Sequence, residues 1–151
     1  EDYTPAQTVE TLARRKGEAV LPLCPNSPII AADSVVSIDG LILGKPKDDD
    51  AAKETLRRLS GRTHQIFTGV CLLAEGKIDV FHMSTKVTFY PLTEEEIAEY
   101  VAMGESRGRA GAYGIEGIGV VLVQSIEGDY SNIVGLPVAE TIRRLHKLLG
   151  D

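Results

Sequence analysis

The chain has few cysteines and histidines and no long hydrophobic run, and each of these absences excludes a class of protein. No apolar stretch in its 151 residues approaches the ~18 positions that a membrane-spanning helix needs. Cys24 and Cys71 form no Cys-x-x-Cys pair, and the three scattered histidines lack the spacing of a zinc site. We therefore expect a cytoplasmic protein with reduced thiols, no disulfide framework and no membrane association.

Positive charge is also in short supply. The chain carries 16 basic and 22 acidic residues, a net charge of −6, so its surface as a whole repels nucleic acid. A small phosphorylated ligand remains compatible with this balance, because a local basic pocket can exist on an acidic protein. The hydrophobic share of 43% and the charged share of 25% are ordinary for a globular domain. Residues 1–151 are therefore predicted to form one domain with a core of its own.

Helical and strand patterns are mixed along the chain, which predicts an α/β fold with antiparallel pairs and crossovers. Thr4-Pro5 is typical of a helix start, Asp39-Gly40 of a two-residue hairpin turn and Thr93-x-x-Glu96 of a capping box. Helices are predicted over 5–20, about 48–59, about 93–103 and from 137 onward, and strands over 29–38, 41–43, 64–74, 77–90 and 120–126. Residues 104–119 contain six glycines and are predicted to form a long functional loop.

Asp33 is the first candidate for chemistry. It lies in the apolar run Ile29-Ile-Ala-Ala-Asp-Ser-Val-Val36, where an unpaired buried carboxylate would be costly. One interpretation is a solvated or structurally hydrogen-bonded strand residue. The other is a catalytic base or metal-binding carboxylate, which a strand would hold rigidly at the edge of a cleft.

Two lysines are candidates for phosphate contacts. Lys45 lies between Gly44 and Pro46, where glycine allows close approach of a ligand and proline fixes the backbone. The spaced glycines and the Lys-Ser/Thr of a Walker A loop are absent. Lys16 lies in the first helix beside two arginines. For both lysines, a solvated surface side chain is the alternative.

Two further segments have the composition of ligand-binding loops. The stretch Arg109-Ala-Gly-Ala-Tyr-Gly-Ile-Glu-Gly117 combines small residues with Tyr113 and Glu116, and Glu116 could accept hydrogen bonds from a base. The stretch Tyr130-Ser-Asn-Ile-Val-Gly-Leu-Pro137 precedes the last helix, whose free backbone N–H groups could bind an anion. A mobile surface loop and a simple helix cap are the respective alternatives.

Taken together, these segments resemble the Maf family of nucleoside triphosphate pyrophosphatases. The resemblance follows the family order and covers nearly the whole chain. It rests on Ala31-Ala-Asp-Ser-Val-Val36, Gly44-Lys-Pro46, Leu59-Ser-Gly-Arg-Thr-His64, Phe67-Thr-Gly-Val70, Ala110-Gly-Ala-Tyr-Gly-Ile-Glu-Gly117 and Tyr130-Ser-Asn-Ile-Val-Gly-Leu-Pro137.

The resemblance implies an elongated, mixed-sheet α/β fold like that of the inosine-triphosphate pyrophosphatases, with two lobes around a central cleft. It implies hydrolysis of dTTP, UTP or modified nucleotides to the monophosphate and pyrophosphate, with Mg²⁺ or Mn²⁺ as cofactor and a homodimer as assembly. Asp33 falls on the family's proton acceptor, and Lys16 and Lys45 on its two lysines. The implied substrate-binding and specificity positions are Ser34, Glu116, Tyr113, Gly114, Ser131 and Asn132, whereas the metal ligands are not implied. The alternative from another class is a nucleotide-binding regulator of cell division that acts at septum formation without turnover.

The chain also departs from the family pattern. The family's first strand and its phosphate-binding Ser-x-Ser-Pro-Arg-Arg loop have no counterpart here, so we expect an N-terminal segment to be missing. Ser34 and Glu116 mix the two branches: threonine and glutamine are usual for dTTP/UTP, glutamine and glutamate for 7-methyl-GTP. The surrounding motifs favour the dTTP/UTP branch. Gly108-Arg109 stands where the family usually has Asp-Lys.

Overall fold

The computed structural model describes residues 3–150, which form an α/β fold as predicted. Most predicted boundaries agree with the observed ones within one or two residues. The short helix α4 had not been predicted. The elements are α1 (Pro5–Val20), β1 (Ile29–Ile38), β2 (Leu41–Leu43), α2 (Asp49–Leu59), β3 (Thr63–Ala74), β4 (Lys77–Phe89), α3 (Glu94–Ala102), β5 (Val123–Glu127), α4 (Tyr130–Val134) and α5 (Val138–Leu148).

The described strands form one five-stranded sheet in the order β2-β1-β3-β4-β5. β1 pairs with β2, and β4 with β5, in antiparallel register. The hairpin between β1 and β2 turns at Asp39 and Gly40, whose φ angles of 54° and 78° are those of the predicted two-residue turn. This confirms the Asp-Gly prediction.

The start of β5 was predicted wrongly. Residues Ile118–Leu122 form a 3₁₀ helix, and the strand begins only at Val123. Val123 pairs with Phe89, the last residue of β4, and the carbonyl oxygen of Leu122 accepts from the backbone N–H of Tyr90, which lies beyond β4. The apolar run Val120-Val-Leu-Val123 has the composition of a strand, but a short apolar run cannot distinguish strand from helical turn.

Helix caps are where the sequence placed them. The Thr4 hydroxyl accepts from the backbone N–H of Gln7, and the Gln7 side-chain oxygen accepts from the backbone N–H of Thr4, forming a capping box. Thr93 and Glu96 form the second box as predicted. The Asp48 carboxylate caps α2 by accepting from the Ala51 backbone N–H at 2.7 Å. Each cap satisfies backbone donors that the helix itself leaves free.

The chain divides into two compact units, to which β1, β3 and β4 each contribute residues. Unit 1 comprises residues 1–34, 67–84 and 129–151. Of these, the structure describes 3–34, 67–84 and 129–150. Alternate residues of β3 face two separate clusters, as the period of a strand requires. One cluster contains Ala13, Ile29, Cys71 and Leu73, and the other contains Val70, Leu72 and Phe81 with Leu145 and Leu148 of α5.

Helix α1 packs very closely on β3 within unit 1. A Cβ on Gly69 would lie 2.2 Å from the carbonyl oxygen of Val9, and a Cβ on Gly17 would lie 3.0 Å from Sγ of Cys71. Glycine at position 69 therefore permits this approach. The thiol of Cys71 is buried, and burial raises its pKa.

Unit 2 comprises residues 35–66 and 85–128. Its core is built around α2 and α3, with Leu56, Leu59, Ile97 and Val101 almost fully buried. His64, Phe89 and Tyr113 stack edge to face beside them, with centroid separations of 4.7–5.4 Å. Among residues 3–150, none of the helices combines the length and the apolar character of a membrane-spanning segment.

Candidate functional site

Asp33 and Lys16 form an ion pair in unit 1. Nζ of Lys16 lies 2.5 Å from Oδ1 of Asp33 and 3.2 Å from the carbonyl oxygen of Ala32. The Asp33 side chain is 21% exposed and the lysine 56% exposed, so the pair is accessible to a ligand. Within residues 3–150, Oδ2 of Asp33 has no protein partner. The structure thus brings together two of the three predicted catalytic residues and leaves one carboxylate oxygen open.

Ser34, the next residue of β1, is connected to the segment at 130–137 through a residue that the sequence did not single out. Its Oγ lies 2.7 Å from Oγ1 of Thr68, and the Thr68 hydroxyl donates to the carbonyl oxygen of Asn132 at 3.0 Å. Thr68 and Asn132 are completely buried, whereas Ser34 is exposed. Two predicted binding residues, Ser34 and Asn132, are therefore linked by one buried hydroxyl.

Ser131 makes contacts within its own segment of unit 1. Its hydroxyl donates to Oδ1 of Asp129 at 2.7 Å and accepts from the backbone N–H of Val138 at 3.0 Å. Val138 is the first residue of α5, so Ser131 satisfies one of the donors that were predicted to bind an anion. This supports the helix-cap interpretation for that donor; binding of substrate by Ser131 stays a prediction.

Lys45 follows β2 in unit 2 and is exposed. The carbonyl oxygen of Gly44 accepts a hydrogen bond from the backbone N–H of Gly111 at 3.3 Å, which ties the Gly-Lys-Pro turn to the glycine-rich loop. A Cβ built on Gly44 would meet no atom within 4 Å, so the backbone before the lysine is open. The lysine is thus displayed on an anchored, sterically open turn.

The side chain of Glu116 pairs with Arg109 of the same loop. Both side chains are about 40% exposed, at 41% and 39%. Burial opposes ionisation of Glu116, but a backbone hydrogen bond and the Arg109 guanidinium hold the pKa of Glu116 below its ordinary value. A Cβ on Gly114 would lie 2.4 Å from Nη1 of Arg109, so glycine there leaves room for the guanidinium.

A second carboxylate, Glu105, holds the far end of this loop. It accepts hydrogen bonds from the Tyr100 hydroxyl at 2.5 Å and from the backbone N–H groups of Ile118 and Gly119 at 2.9 and 2.8 Å. Burial disfavours its charged form, yet these donors outweigh burial and hold the pKa of Glu105 below its ordinary value. The glycine-rich loop is therefore a structured network of polar contacts.

Tyr113 points into the core of unit 2. It is 6% exposed, and its hydroxyl lies 2.6 Å from Nε2 of the buried His64. Desolvation raises the pKa of Tyr113 and lowers that of His64 to about 4, so the histidine is neutral at neutral pH. The described contacts of Tyr113 are structural; its predicted contact with substrate stays a prediction, as does that of Gly114.

Residues 3–150 contain no group of three His, Cys, Asp or Glu side chains close enough to hold a metal ion together. Asp33 is the predicted site carboxylate with an oxygen open to ligand. Mg²⁺ usually keeps several waters and binds through one or two carboxylates plus substrate phosphates. Asp33 could supply one such carboxylate, but the protein does not offer a complete set of metal ligands around it among residues 3–150.

The sequence did not indicate three sets of contacts: those of Thr68, those of Glu105 and the pairing of Arg109 with Glu116. Thr68 lies within the quoted motif Phe67-Thr-Gly-Val70, but nothing in its pattern distinguishes it from an ordinary strand threonine. Arg109 carried a signal, because it and Glu116 both depart from the usual family residues. The change from glutamine to glutamate supplies the negative charge of the pair, while lysine and arginine would both supply the positive one.

Comparison with known proteins agrees with this set of motifs. The Maf-like protein family matches residues 1–148, so the chain belongs to the Maf family. It is 46% identical over 144 residues to the dTTP/UTP pyrophosphatase of Bacillus pumilus, covering 95% of this chain and 76% of the relative. It is 48% identical over 142 residues to that of Bacillus cytotoxicus (94% and 74%), and 47% identical over 148 residues to that of a Geobacillus strain (98% and 80%).

Proposed function

We propose that this chain hydrolyses dTTP and UTP to the nucleoside monophosphate and pyrophosphate. The observation that carries the proposal is the identity of 46–48% to relatives named dTTP/UTP pyrophosphatase, over almost the whole chain. The Asp33–Lys16 pair supplies the chemistry such a reaction needs. Asp33, its neighbour Ser34 and the motifs around Lys45 and Glu116 all lie within the matched range.

Asp33 is the residue proposed to act on the attacking water. The water oxygen forms a bond to phosphorus, the phosphoric anhydride bond breaks, and pyrophosphate leaves with the electron pair of that bond. Oδ2 of Asp33 is open to accept a proton from this water or to orient it, since Lys16 contacts Oδ1. The strand β1 holds the carboxylate in place, which favours a fixed angle of attack.

The two lysines are proposed to offset the charge on the phosphate chain. Lys16 is fixed by Asp33 and by the Ala32 carbonyl, whereas Lys45 extends from an anchored turn. Such preorganised cations stabilise developing charge without reorganising during the reaction. A divalent cation, Mg²⁺ or Mn²⁺, would be held by Asp33 together with the substrate phosphates and would neutralise part of the phosphate charge.

The remaining elements of the proposal concern the base and the assembly. Ser34 and Glu116 are proposed to select the base, with Asn132 as the acceptor that fixes the Thr68 hydroxyl below Ser34. The proposal includes a homodimer in the cytoplasm that binds neither nucleic acid nor membrane, which the family resemblance and the net charge of −6 support. Light scattering on the purified chain tests the dimer.

A nucleotide panel tests the proposed function. Pyrophosphate release with Mg²⁺ is measured for dTTP, UTP, CTP, ATP and GTP at equal concentrations. We expect the largest kcat/KM for dTTP and UTP. Equal rates for all five nucleotides would reject the proposed substrate class, and release from GTP alone would move the chain to the other branch.

A further inference from the structure

We propose that Thr68 is a positioning residue that fixes the direction of the Ser34 hydroxyl and thereby contributes to nucleotide selection. The inference rests on the proposed function, because it takes Ser34 as a residue that faces the base. Thr68 itself is 0% exposed and cannot touch a nucleotide. Its contribution is to determine whether a ligand meets the hydrogen or the lone pairs of the Ser34 hydroxyl.

The direction follows from counting protons. A carbonyl oxygen only accepts, so the Thr68 hydroxyl must donate its single hydrogen to the Asn132 carbonyl, 3.0 Å away. The 2.7 Å contact between Oγ of Ser34 and Oγ1 of Thr68 then has one available hydrogen, that of Ser34. Ser34 therefore donates inward to Thr68. A hydroxyl has one donor and two acceptor lone pairs, so the outward side of Ser34 can only accept.

An acceptor at this position favours a base edge that presents an N–H group. Uracil and thymine carry a ring N3–H between two carbonyls, whereas cytosine has an unprotonated ring nitrogen at the same place. Ser34 can accept from N3–H of UTP, but faces the ring nitrogen of CTP as acceptor against acceptor. If Thr68 did not hold the proton, Ser34 could rotate and donate to cytosine as well. The buried threonine thus makes Ser34 discriminate between the two pyrimidines.

The experiment measures the UTP-to-CTP preference of Thr68→Val and Thr68→Ser. Valine keeps the shape of threonine and removes the hydroxyl, while serine keeps the hydroxyl. We expect Thr68→Val to reduce the kcat/KM preference for UTP over CTP about tenfold, the effect of one mismatched polar contact. Thr68→Ser should change the preference for UTP over CTP by less than about twofold, which counts as no change beside the expected tenfold effect. Melting temperatures are recorded for all variants.

A purely structural role for Thr68 would lower the melting temperature of Thr68→Val and leave the UTP-to-CTP ratio unchanged, which overturns the proposal. Ser34→Ala provides the matched background. In Ser34→Ala the UTP-to-CTP ratio should already be reduced. Adding Thr68→Val to this variant should change the ratio by less than about twofold, because the hydroxyl that Thr68 orients is gone. An unaltered ratio in Ser34→Ala alone also overturns the proposal, even if the valine variant does not fold.

Binding of the non-hydrolysable α,β-methylene analogues of UTP and CTP, measured by calorimetry, separates this inference from the proposed reaction. If the chain releases no pyrophosphate but Thr68→Val still reduces the binding preference, the proposed reaction fails and the inference stands. If the chain turns over UTP and the preference is insensitive to Thr68→Val, only the inference fails. Absence of binding to either analogue overturns both.

Discussion

The two regions that carry predicted site residues are stabilised in different ways. Asp33 and Ser34 lie on β1, where the strand and the buried Thr68 hydroxyl fix their positions. Glu116 lies on the loop at 104–119, where Glu105 and Glu116 bond to other groups of the loop and Tyr113 is buried in unit 2. The strand region therefore depends on the core of unit 1, and the loop depends on two exposed or half-buried carboxylates.

The comparison indicates where each region is sensitive to change. Removing a polar atom next to β1 should alter chemistry and leave the fold intact, since the strand is held by its ladder and core. Adding a single Cβ at Gly114, Gly117 or Gly119 should alter the fold of the loop, since other groups occupy the space beside these glycines.

The largest effect is expected for Asp33→Asn. Asparagine keeps the shape and loses the basic carboxylate, so the rate of pyrophosphate release should fall by about 10²–10⁴, the range typical of a lost general base. The melting temperature should change little. Asp39→Asn serves as the control, because Asp39 is an exposed turn residue whose carboxylate contacts Arg62. A variant at Asp33 that retains most of its kcat would make this residue structural.

The second effect is a pH dependence of stability from His64. The histidine is neutral in the fold, with its pKa lowered from 6.5 to about 4 by desolvation, so the unfolded chain binds more protons between these values. The free energy of unfolding should therefore fall as the pH is lowered through this window, by about 3 kcal/mol in total. Denaturant melts of the wild type and His64→Gln should converge toward acid pH. A constant difference between the two proteins from pH 6.5 to about 4 would contradict the prediction.

Gly119→Ala tests the loop network through backbone sterics. The new Cβ would lie 2.5 Å from the carbonyl oxygen of Gly114 and 2.9 Å from Oη of Tyr100. We expect a loss of about 1–3 kcal/mol in the free energy of unfolding, the usual cost of overpacking. Gly44→Ala is the matched control for stability, since a Cβ there meets no atom within 4 Å. Equal melting temperatures for the two variants would show that the loop tolerates rearrangement.

The smallest effect is expected for Glu116→Gln. The ionised carboxylate only accepts hydrogen bonds, whereas the amide also donates and can pair with a carbonyl of uracil or thymine. The kcat/KM ratio for UTP and dTTP over GTP should rise about tenfold. Stability should change by less than about 1 kcal/mol, because the pair with Arg109 is exposed. If this kcat/KM ratio stays within about twofold of the wild-type value, Glu116 does not contact the base.

The sequence predicted the four longer helices, the hairpin turn at Asp39 and the α/β class because caps and strand alternation are local signals. Thr4, Asp39 and Thr93 each report on atoms within a few residues of themselves. The start of β5 was predicted wrongly because pairing with Phe89 is not a local property. The ion pair of Lys16 with Asp33 and the contact of Thr68 with Asn132 join residues 17 and 64 positions apart, so no pattern in the sequence could define their distances.

The central claim is that this chain turns over nucleotide by releasing pyrophosphate. The most direct measurement follows UTP, UMP, pyrophosphate and orthophosphate together in one reaction of the wild-type chain with Mg²⁺. We expect one UMP and one pyrophosphate for each UTP consumed, with no orthophosphate. Release of orthophosphate, or a rise in melting temperature with UTP and no product at all, would contradict it.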